Sequence, residues 1–382
     1  MNHYYYTRSI NVIRENQSQW GSYIASPSFP TYHFCWLRDS SFIAHAMDKA
    51  GEHESSAAYF RWVNHTILSY GGKIAEIRQK LAKDQTLGKD EVLHTRFSLD
   101  GKEDYADDTW GNFQVDGYGT WLWALAEHVR MTENTALLQE LSPSIELTLQ
   151  YLELVWELPN YDCWEEHPDY LHPYSLAAVY GGVQAISALI VDGLYPSSLV
   201  AVAQLAVKIK TFVLKYGLSD GKLVKMITPA TIKNSPQPVA TYGVDASLMA
   251  AVLPYGLFAF DDPIARSTMA AIEMELLRPQ GGVYRYLLDV YYGGGEWLLL
   301  TAWLGWYFAK IGRMDDAQKL CRWLESCADE QGNFPEQVSG HVLFPEHTQP
   351  WVDKWGPIAS PLLWSHAMYI LLVKAIEEGK IQ

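Results

Sequence analysis

Two kinds of predicted helix alternate along the chain. Six segments are apolar on nearly every side, so each must be enclosed by protein; they span residues 39–51, 117–130, 173–191, 245–258, 296–312 and 361–378. Six others are amphipathic, with one charged face and one stripe that can pack inward; they span residues 8–20, 52–82, 135–159, 195–217, 262–278 and 314–330. Strand-like alternation is scarce between them. The sequence therefore predicts an all-α protein in which amphipathic outer helices cover apolar inner ones.

Six outer–inner helix hairpins laid side by side close naturally into a double ring, the (α/α)6 barrel. An open solenoid of the same hairpins would show a repeating sequence period, and none is found. The length of 382 residues would by itself suggest roughly two or three domains. No Pro/Gly/Ser-rich linker or shift in composition divides the chain, so we expect a single domain over residues 1–382.

Charge and terminal composition argue against several classes of partner. The formal net charge of −15 disfavours nucleic acid and anionic membranes, because both favour clustered Lys and Arg. The longest apolar run, Trp297–Ala309, is too short to cross a bilayer. Residues 1–8 lack an apolar run followed by a cleavage site, so no signal peptide is expected. The four cysteines have no CxxC spacing and suit a reducing compartment. We therefore expect a cytoplasmic protein.

Motifs for cofactors, metals and serine nucleophiles find no support. The run Gly293-Gly294-Gly295 follows no predicted strand and precedes no lysine, so it indicates a turn rather than a phosphate loop. His341, His347 and His366 lack the i,i+4 spacing of helical metal ligands, and His366 is expected to be a hydrogen-bonded core residue. A Gly-x-Ser-x-Gly sequence is absent. The sequence predicts neither a cofactor nor a metal site.

The loops that lead into the inner helices concentrate aromatic and charged residues. They contain Tyr32–Asp39, Trp110–Asp116, Trp164–Glu166, Arg285–Trp297 and Glu336–Trp355. In the double ring they all fall at one rim, where they would form an aromatic-walled pocket with a polar floor. Such a pocket suits a sugar, whose rings stack on apolar faces and whose hydroxyls need hydrogen-bond partners. The alternative is that the 15 tryptophans fill a large core. It does not explain why so many stand beside Arg, Asp and Glu in short loops.

The segment Trp164-Glu165-Glu166-His167-Pro168 places two adjacent carboxylates beside an indole. Apolar surroundings and a neighbouring like charge both raise the pKa of a carboxyl group, which suits a general acid near neutral pH. The alternative is a solvated acidic loop that caps the following helix.

Several motifs in these loops resemble glucoamylases, the family 15 glycoside hydrolases. Tyr32-His33-Phe34-Cys35-Trp36-Leu37-Arg38-Asp39 resembles the first conserved segment, and Trp110 with Gln114 and Asp116 resembles the second. Trp164-Glu165-Glu166 is similar to the acid segment, Arg285-Tyr286 with Tyr291-Tyr292 and Trp297 to the fourth, and Phe334-Pro335-Glu336-Gln337 to the base segment. Trp364-Ser365-His366-Ala367 is similar to the last inner helix. The matches keep the family's order from about residue 30 to 370.

The resemblance implies an inverting glycosidase with two catalytic glutamates. Glu165 would protonate the leaving-group oxygen. Glu336 would stay ionised and take a proton from a water that attacks the opposite face of the sugar. Room for that water requires the two carboxyl groups to lie roughly 6.5–9.5 Å apart.

The resemblance also implies roles in sugar binding. Glu166 would hold the leaving-group sugar and help keep Glu165 protonated. Arg38 and Asp39 would hydrogen-bond the hydroxyls of the terminal glucose, with Trp36 beside its ring. Arg285 and Gln337 would contact this sugar or its neighbour. Trp110 and Trp164 would lie beside the acid, and Trp297 would form part of the wall. Tyr32 would be a third catalytic residue, near the anomeric carbon and the attacking water, and Tyr291 would position its hydroxyl. Asp116 would support the site or cap a helix rather than act as a catalyst.

The chain shows neither the starch-binding module nor the N-terminal β-sandwich of many glucoamylases. A short oligosaccharide is therefore the expected substrate. In size it resembles the family's small isomaltose-splitting enzymes, so we expect isomaltose or short α-1,6-linked isomaltooligosaccharides. Three alternatives stay open: an α-1,4-acting glucoamylase or trehalase; a phosphorylase, lyase or epimerase on the same barrel; and a non-catalytic carbohydrate-binding barrel.

Overall fold

The computed structural model describes residues 3–88, 90–104, 110–196, 199–231 and 234–379. Its α-helices are α1 (His3–Glu15), α2 (Leu37–Lys49), α3 (His53–Ser69), α4 (Gly71–Leu81), α5 (Asp116–Thr132), α6 (Thr135–Glu140), α7 (Ser142–Val155), α8 (Pro173–Val191), α9 (Leu199–Tyr216), α10 (Pro263–Leu276), α11 (Leu298–Lys310), α12 (Met314–Ser326), α13 (Thr348–Trp355) and α14 (Leu363–Gly379). Short antiparallel strand pairs tie the loops together: β1 (Cys35–Trp36) with β2 (Arg96–Phe97), β3 (Leu218–Ser219) with β4 (Lys222–Leu223), β5 (Met226–Thr228) with β6 (Gln237–Val239), and β7 (Glu296–Trp297) with β8 (Gln337–Val338).

The predicted (α/α)6 barrel is confirmed. Helices α2, α5, α8, α11 and α14 pack side by side in a closed inner ring, and the 3₁₀ helix Ala246–Ala251 completes it between α8 and α11. Helices α1, α3, α7, α9, α10 and α12 lie outside and pack against this ring. Because each inner helix is enclosed by two ring neighbours and an outer helix, its apolar residues are buried on all sides.

The predicted inner helix 245–258 is not an α-helix. Asp245 accepts a hydrogen bond from the Ser247 amide (2.8 Å) and starts the shorter 3₁₀ helix instead. Pro254 cannot donate a backbone hydrogen bond and disfavours helical backbone at Leu253, and Gly256 has a φ of 62°. Apolar composition predicted burial correctly, but the proline and glycine end the helix.

Other boundaries also differ from the prediction. The outer helix predicted at 8–20 is α1, which begins and ends five residues earlier. The segment 52–82 divides at Tyr70, before a glycine pair of low helix propensity, and 135–159 divides at Leu141. Residues 197 and 198 of the predicted helix 195–217 lie outside the described residues. Helix α13, which lines the pocket described below, was not predicted.

By length and composition, α8 could cross a membrane. Most of its apolar window is buried within the barrel, however, as in the core helix of a globular protein.

Helices α5 and α8 cross closely at two glycines, Gly119 and Gly182. A Cβ added at Gly182 of α8 would lie 2.2 Å from the carbonyl oxygen of Gly119 in α5. Any side chain at Gly182 would therefore push these two inner helices apart.

Gly182→Ala is accordingly expected to destabilise the fold by at least ~1–3 kcal/mol, since overpacked backbone must shift. The matched control is Gly72→Ala in α4, where a Cβ would meet no atom within 4 Å. The control is expected to be neutral or stabilising, because alanine has the higher helix propensity. Thermal unfolding of both variants measures the difference. A melting temperature for Gly182→Ala at or above that of the unmodified chain would contradict the close crossing.

Candidate active site

A pocket of about 330 Å³ opens at the rim where the loops enter the inner helices. The predicted site residues that line it are Tyr32, Trp36, Arg38, Asp39, Trp110, Trp164, Glu165, Glu166, Arg285, Tyr291, Trp297 and Glu336. Further lining residues include Phe29, Thr31, Trp351, Lys354, Trp355 and Trp364. The size falls in the range of small-molecule sites, roughly 300–1,000 Å³. The loops thus bring both predicted catalytic glutamates to one aromatic pocket.

Gln337 lies elsewhere, although sequence analysis placed it at the sugar. Its Oε1 accepts a hydrogen bond from the Gly295 amide (2.9 Å), and its Nε2 donates to the carbonyl oxygen of Tyr291 (3.4 Å). Gln337 begins strand β8, where successive side chains point to opposite faces. Glu336 therefore reaches the pocket while Gln337 secures the loop behind it.

The hydrogen bonds of Glu165 distinguish its two carboxyl oxygens. Oε1 accepts from Trp36 Nε1 (2.6 Å) and from Gln114 Nε2 (3.1 Å). An indole N–H and an amide NH₂ can only donate, so Oε1 must remain an acceptor. When Glu165 is protonated, its proton therefore resides on Oε2, which makes no hydrogen bond to the described residues. This arrangement suits a carboxyl group that donates a proton to a ligand.

Gln114 also connects Glu165 to the first pocket loop. Its Oε1 accepts a hydrogen bond from Arg38 Nη1 (2.9 Å), and the same nitrogen donates to Asp116 Oδ2 (3.2 Å). Arg38 Nε donates to Asp39 Oδ1 (3.0 Å). Burial raises the pKa of Asp39 to about 6, although Arg38 opposes the shift. The arginine is thus fixed by three neighbours while it lines the pocket, and Asp116 holds it without lining the pocket itself.

The backbone of Glu165 is left-handed, with a φ of 65°. For a residue with a Cβ this conformation costs roughly 1–2 kcal/mol, so other contacts must maintain it. Asp162 provides them: its Oδ1 accepts from the amides of Trp164 (3.0 Å) and Glu166 (2.8 Å), and its carbonyl oxygen accepts from the Glu165 amide (2.9 Å). The acid segment is therefore a strained turn organised around one buried aspartate.

Glu336 is anchored differently. Its amide donates to the carbonyl oxygen of Ala359 (2.9 Å), and its own carbonyl oxygen accepts from the Leu298 amide (3.2 Å). Its Oε1 accepts from the Tyr32 hydroxyl (3.0 Å), which also lies 2.9 Å from the hydroxyl of Tyr291. Its Oε2 is buried and has no hydrogen-bond partner among the described residues. A buried acceptor that lacks a protein donor is suited to bind a water or a ligand hydroxyl.

The base loop is fixed from behind by His366 in α14. The Phe334 amide donates to His366 Nε2 (3.0 Å), so the ring proton must be on Nδ1, which lies 2.8 Å from Ser9 Oγ. His366 is buried, and burial lowers its pKa to about 3. It is a hydrogen-bonded core histidine, as the sequence predicted.

Burial raises the pKa of Glu336 to about 7, although the hydrogen bond from Tyr32 and the charge of Arg285 act against the shift. Sequence analysis expected this residue to stay ionised near neutral pH. In the free protein, a carboxyl group with a pKa of about 7 is instead about half protonated at pH 7. Burial therefore makes the Glu336 carboxylate a stronger base and also raises the pH at which that carboxylate forms.

A raised pKa in the folded state has a consequence for stability. The ionised form of Glu336 is disfavoured by the fold, so its cost is fully present above pH 7 and absent below the unfolded value near 4.5. Glu336→Gln is therefore expected to stabilise the protein by about 1–3 kcal/mol at pH 8 and to have little effect at pH 4.5. Thermal unfolding at the two pH values measures this. An equal effect at both would show that burial does not oppose ionisation of Glu336.

The second carboxylate of the acid segment faces a different set of partners. Glu166 Oε1 lies 3.4 Å from Arg285 Nη2, and its Oε2 accepts a hydrogen bond from the Tyr286 hydroxyl. Arg285 is itself held by Asp289 through its Nε (2.7 Å). Burial raises the pKa of Glu166, while Arg285 limits the rise. Glu166 is thus a partly buried carboxyl group beside Glu165, and it is in a position to accept a hydrogen bond from a ligand hydroxyl.

Aromatic side chains form a pocket wall that adjoins the acid segment, where the rings of Trp164 and Trp297 lie 5.4 Å apart. Trp351, on α13, packs edge-on against Tyr291, with ring centroids 4.9 Å apart, and Trp297 lies 6.0 Å from the same tyrosine. Lys354 Nζ lies 4.8 Å from the ring of Trp355. This wall offers flat apolar faces for a sugar ring and one cation for hydroxyls beyond it.

Sequence reasoning missed the residues beneath the acid segment. Asp162, Lys225 and Asp245 are buried and charged, and none of them lines the pocket. Asp162 could have been found, because it precedes Trp164 and Glu166 by two and four residues, the spacing of an aspartate that accepts from following amides. Lys225 stands alone in the apolar run Leu223–Ile227, which is the signal of a buried, paired lysine.

Three possible metal ligands converge elsewhere in the barrel. The ligand atoms of Asp48, His53 and His128 lie within 4.8 Å of one another. The Asp48 carboxylate is 2.9 Å from His53 Nδ1 and 2.8 Å from His128 Nδ1, which are hydrogen-bond distances. His128 Nε2 is buried and has no partner among the described residues, so the ring proton is better placed on Nδ1. The cluster is thus satisfied as two histidines donating to one aspartate.

Comparisons with known proteins show which family and fold this chain resembles. The family model "Glycosyl hydrolases family 15" matches residues 1–340. The isomaltose glucohydrolase of Kribbella flavida is 36% identical over 362 residues, which cover 94% of this chain and 89% of that protein. A solved glycosidase variant in complex with glucose has a TM-score of 0.90 at 35% identity, over 98% of this chain and 96% of the other. The Saccharomycopsis fibuligera glucoamylase shares the fold, with a TM-score of 0.73 at 13% identity over 98% and 94% of the two chains.

Proposed function

Because this chain belongs to glycosyl hydrolase family 15, we propose that it releases β-glucose from the non-reducing end of short α-glucosides, with isomaltose as the favoured substrate. The enzyme is a glycoside hydrolase of the glucoamylase-like type. The observation that carries the mechanism is the asymmetry between its two catalytic carboxyl groups. Glu165 has one oxygen saturated by two N–H donors, and Glu336 has one buried oxygen that receives no hydrogen bond from the part of the chain that the structure describes.

The acid step follows from the hydrogen bonds of Glu165. Its proton on Oε2 passes to the glycosidic oxygen as the bond to the anomeric carbon breaks. The carboxylate that forms is stabilised at Oε1 by the N–H groups of Trp36 and Gln114. Since charge-assisted hydrogen bonds are stronger than neutral ones, these donors favour the transition state over the ground state.

The base step uses Oε2 of Glu336, the carboxyl oxygen without a hydrogen-bond partner among the described residues. A water bound there would lose a proton to Oε2 while its oxygen attacks the anomeric carbon from the face opposite the leaving group. Inversion then converts an α-glucoside into β-glucose. Tyr32 donates to Oε1 of the same carboxyl group and so orients it. In this mechanism the carboxyl groups of Glu165 and Glu336 would lie roughly 6.5–9.5 Å apart, which leaves room for the attacking water.

The pKa of Glu336 predicts the acid limb of the pH profile. The base must be ionised, so kcat/KM is expected to fall below a midpoint near pH 7. Tyr32→Phe removes a hydrogen bond that favours the carboxylate, so its acid limb is expected to move to higher pH. The control is Tyr292→Phe, whose hydroxyl bonds to Gly356 instead (2.8 Å). An acid limb that stays in place in Tyr32→Phe would argue against Glu336 as the base.

One observation supports the choice of isomaltose: the Kribbella flavida relative is an isomaltose glucohydrolase. The complex of a similar solved glycosidase with glucose supports a glucoside as the substrate. The pocket itself has about the size of a small sugar site.

The free cysteines support a reducing, cytoplasmic location as part of the same proposal.

A panel of glucose disaccharides tests the substrate. Isomaltose, maltose, nigerose, kojibiose and trehalose are compared by glucose release, with and without inorganic phosphate. We expect kcat/KM for isomaltose to exceed that for maltose by at least ~10-fold, a difference of about 1.4 kcal/mol in transition-state binding. A preference for maltose or trehalose would reject the proposed linkage. A requirement for phosphate would indicate a phosphorylase.

A further inference from the structure

Lys225 is a buried cation outside the pocket, with only 3% of its surface exposed. Its Nζ lies 2.6 Å from Asp245 Oδ2 and 3.2 Å from Asp162 Oδ2. The same nitrogen is 3.9 Å from the centre of the Tyr286 ring. Burial of a lysine is unfavourable unless its charge is compensated, and here two carboxylates and an aromatic face compensate it.

Each partner of Lys225 holds a different part of the acid segment. Asp162 accepts the backbone amides that fix the strained turn at Glu165. Asp245 accepts a hydrogen bond from the indole Nε1 of Trp164 (3.0 Å). Tyr286 donates through its hydroxyl to Glu166. The backbone at Glu165, the indole of Trp164 and the carboxylate of Glu166 are therefore each hydrogen-bonded to a residue that contacts the Lys225 ammonium group.

The segment that carries Lys225 is fastened to the end of the acid loop. It leads directly into β5, and Ile227 of β5 pairs with Leu171: each residue's amide donates to the other's carbonyl oxygen, at 2.8 and 2.9 Å. Lys225 is therefore placed by a fixed backbone and not by a flexible surface loop.

Removal of the ammonium group would leave two buried carboxylates near each other without a counter-charge. Asp162 and Asp245 would then move apart or take up water or a proton, because uncompensated buried charges are strongly unfavourable. Either response changes the acceptors that fix Trp164 and the backbone at Glu165.

We propose that Lys225 is a positioning residue that maintains the strained acid turn, so that Glu165 and Glu166 both face the leaving group. This inference rests on the proposed function for the role of Glu165, but the anchoring itself is a structural statement. It predicts that loss of the charge impairs proton donation more than it impairs the attack of water.

The first test compares two substrates in Lys225→Met. Isomaltose needs a proton on its leaving group, whereas α-glucosyl fluoride releases fluoride ion and needs little proton donation. We expect kcat for isomaltose to fall at least ~10-fold, part of the ~100-fold or more that a general acid contributes, and kcat for the fluoride to fall by less than ~3-fold. Lys225→Arg, which keeps the charge, is expected to recover most of the loss. An unchanged isomaltose rate, or equal losses on both substrates, would overturn the proposal.

The second test does not depend on activity. Hydrogen exchange of the Trp164, Glu165 and Glu166 amides is expected to accelerate at least ~10-fold in Lys225→Met, because their acceptor Asp162 is no longer held. The control is Lys73→Met, which removes a lysine paired with the buried Glu103 at 2.6 Å. It should leave these three amides unchanged.

If Lys225→Met does not fold, the double variant Lys225→Met/Asp245→Asn leaves one uncompensated carboxylate instead of two and is used for both tests. Unchanged amide exchange would overturn the anchoring role whatever the activity. An unmodified chain that hydrolyses neither substrate would instead reject the proposed function, and the exchange result would still decide the role of Lys225.

Discussion

Glu165→Gln is expected to lower kcat for isomaltose by ~10²–10⁴-fold, the usual contribution of a general acid. The amide cannot supply the proton that the glycosidic oxygen needs as its bond breaks. The side chain keeps its shape and can still accept from Trp36 Nε1 and Gln114 Nε2, so the pocket should stay intact. Steady-state kinetics on isomaltose measures the loss.

The same variant should retain hydrolysis of α-glucosyl fluoride within ~10-fold, because fluoride departs with little help from an acid. The matched control is Glu157→Gln, an exposed glutamate shortly before the acid segment and outside the pocket, which should leave both rates unchanged. Near-wild-type hydrolysis of isomaltose by Glu165→Gln would show that another group is the acid. Equal losses on both substrates would indicate a damaged pocket.

Glu336→Ala is expected to lose at least ~100-fold in kcat on both isomaltose and α-glucosyl fluoride. Attack by water needs a base whatever the leaving group, and alanine leaves nothing at this position that can accept a proton. This pattern differs from that of Glu165→Gln, so the pair of substrates separates the base from the acid.

The control for this substitution is Glu296→Gln. Glu296 is also a buried glutamate whose pKa is raised by burial, but it does not line the pocket. Its replacement should leave both rates close to those of the unmodified enzyme. If Glu336→Ala retained fluoride hydrolysis while isomaltose hydrolysis fell, Glu336 would be acting on the leaving group and the two roles would have to be exchanged.

The barrel could be predicted because the apolar composition of its inner helices indicates that they are buried. Segments such as 173–191 and 296–312 are apolar on every face, and only an enclosed position accommodates them. The segment 245–258 has the same composition but forms a short 3₁₀ helix and a turn. Composition reports burial, whereas Pro254 and Gly256 decide the backbone.

The pocket residues could be predicted because their motifs are local. Glu165 and Glu336 stand in short loops beside aromatic residues, Arg38 stands in the first turn of α2 just after such a loop, and the double ring brings these segments to one rim. Gln337 shows where local reasoning ends. It is adjacent to Glu336 in sequence, yet strand geometry turns its side chain away from the pocket.

The convergence of Asp162, Lys225 and Asp245 beneath the acid could not be predicted from any one segment, although Asp162 and Lys225 each have a local signal. Asp162, Lys225 and Asp245 come from three separate loops, and their relation exists only after the chain has folded. The pKa of Glu336 is likewise a property of the closed pocket, since it depends on burial and on the distant Tyr32 and Arg285. Both features arise from tertiary contacts.

In the proposed mechanism, Glu165 and Glu336 act on opposite faces of one glucose with a water between them. A proton NMR time course of isomaltose hydrolysis tests this mechanism most directly, because the anomeric signals of α- and β-glucose are resolved before mutarotation mixes them. If the enzyme inverts, β-glucose appears first and α-glucose follows at the rate of mutarotation. Release of α-glucose first would contradict it.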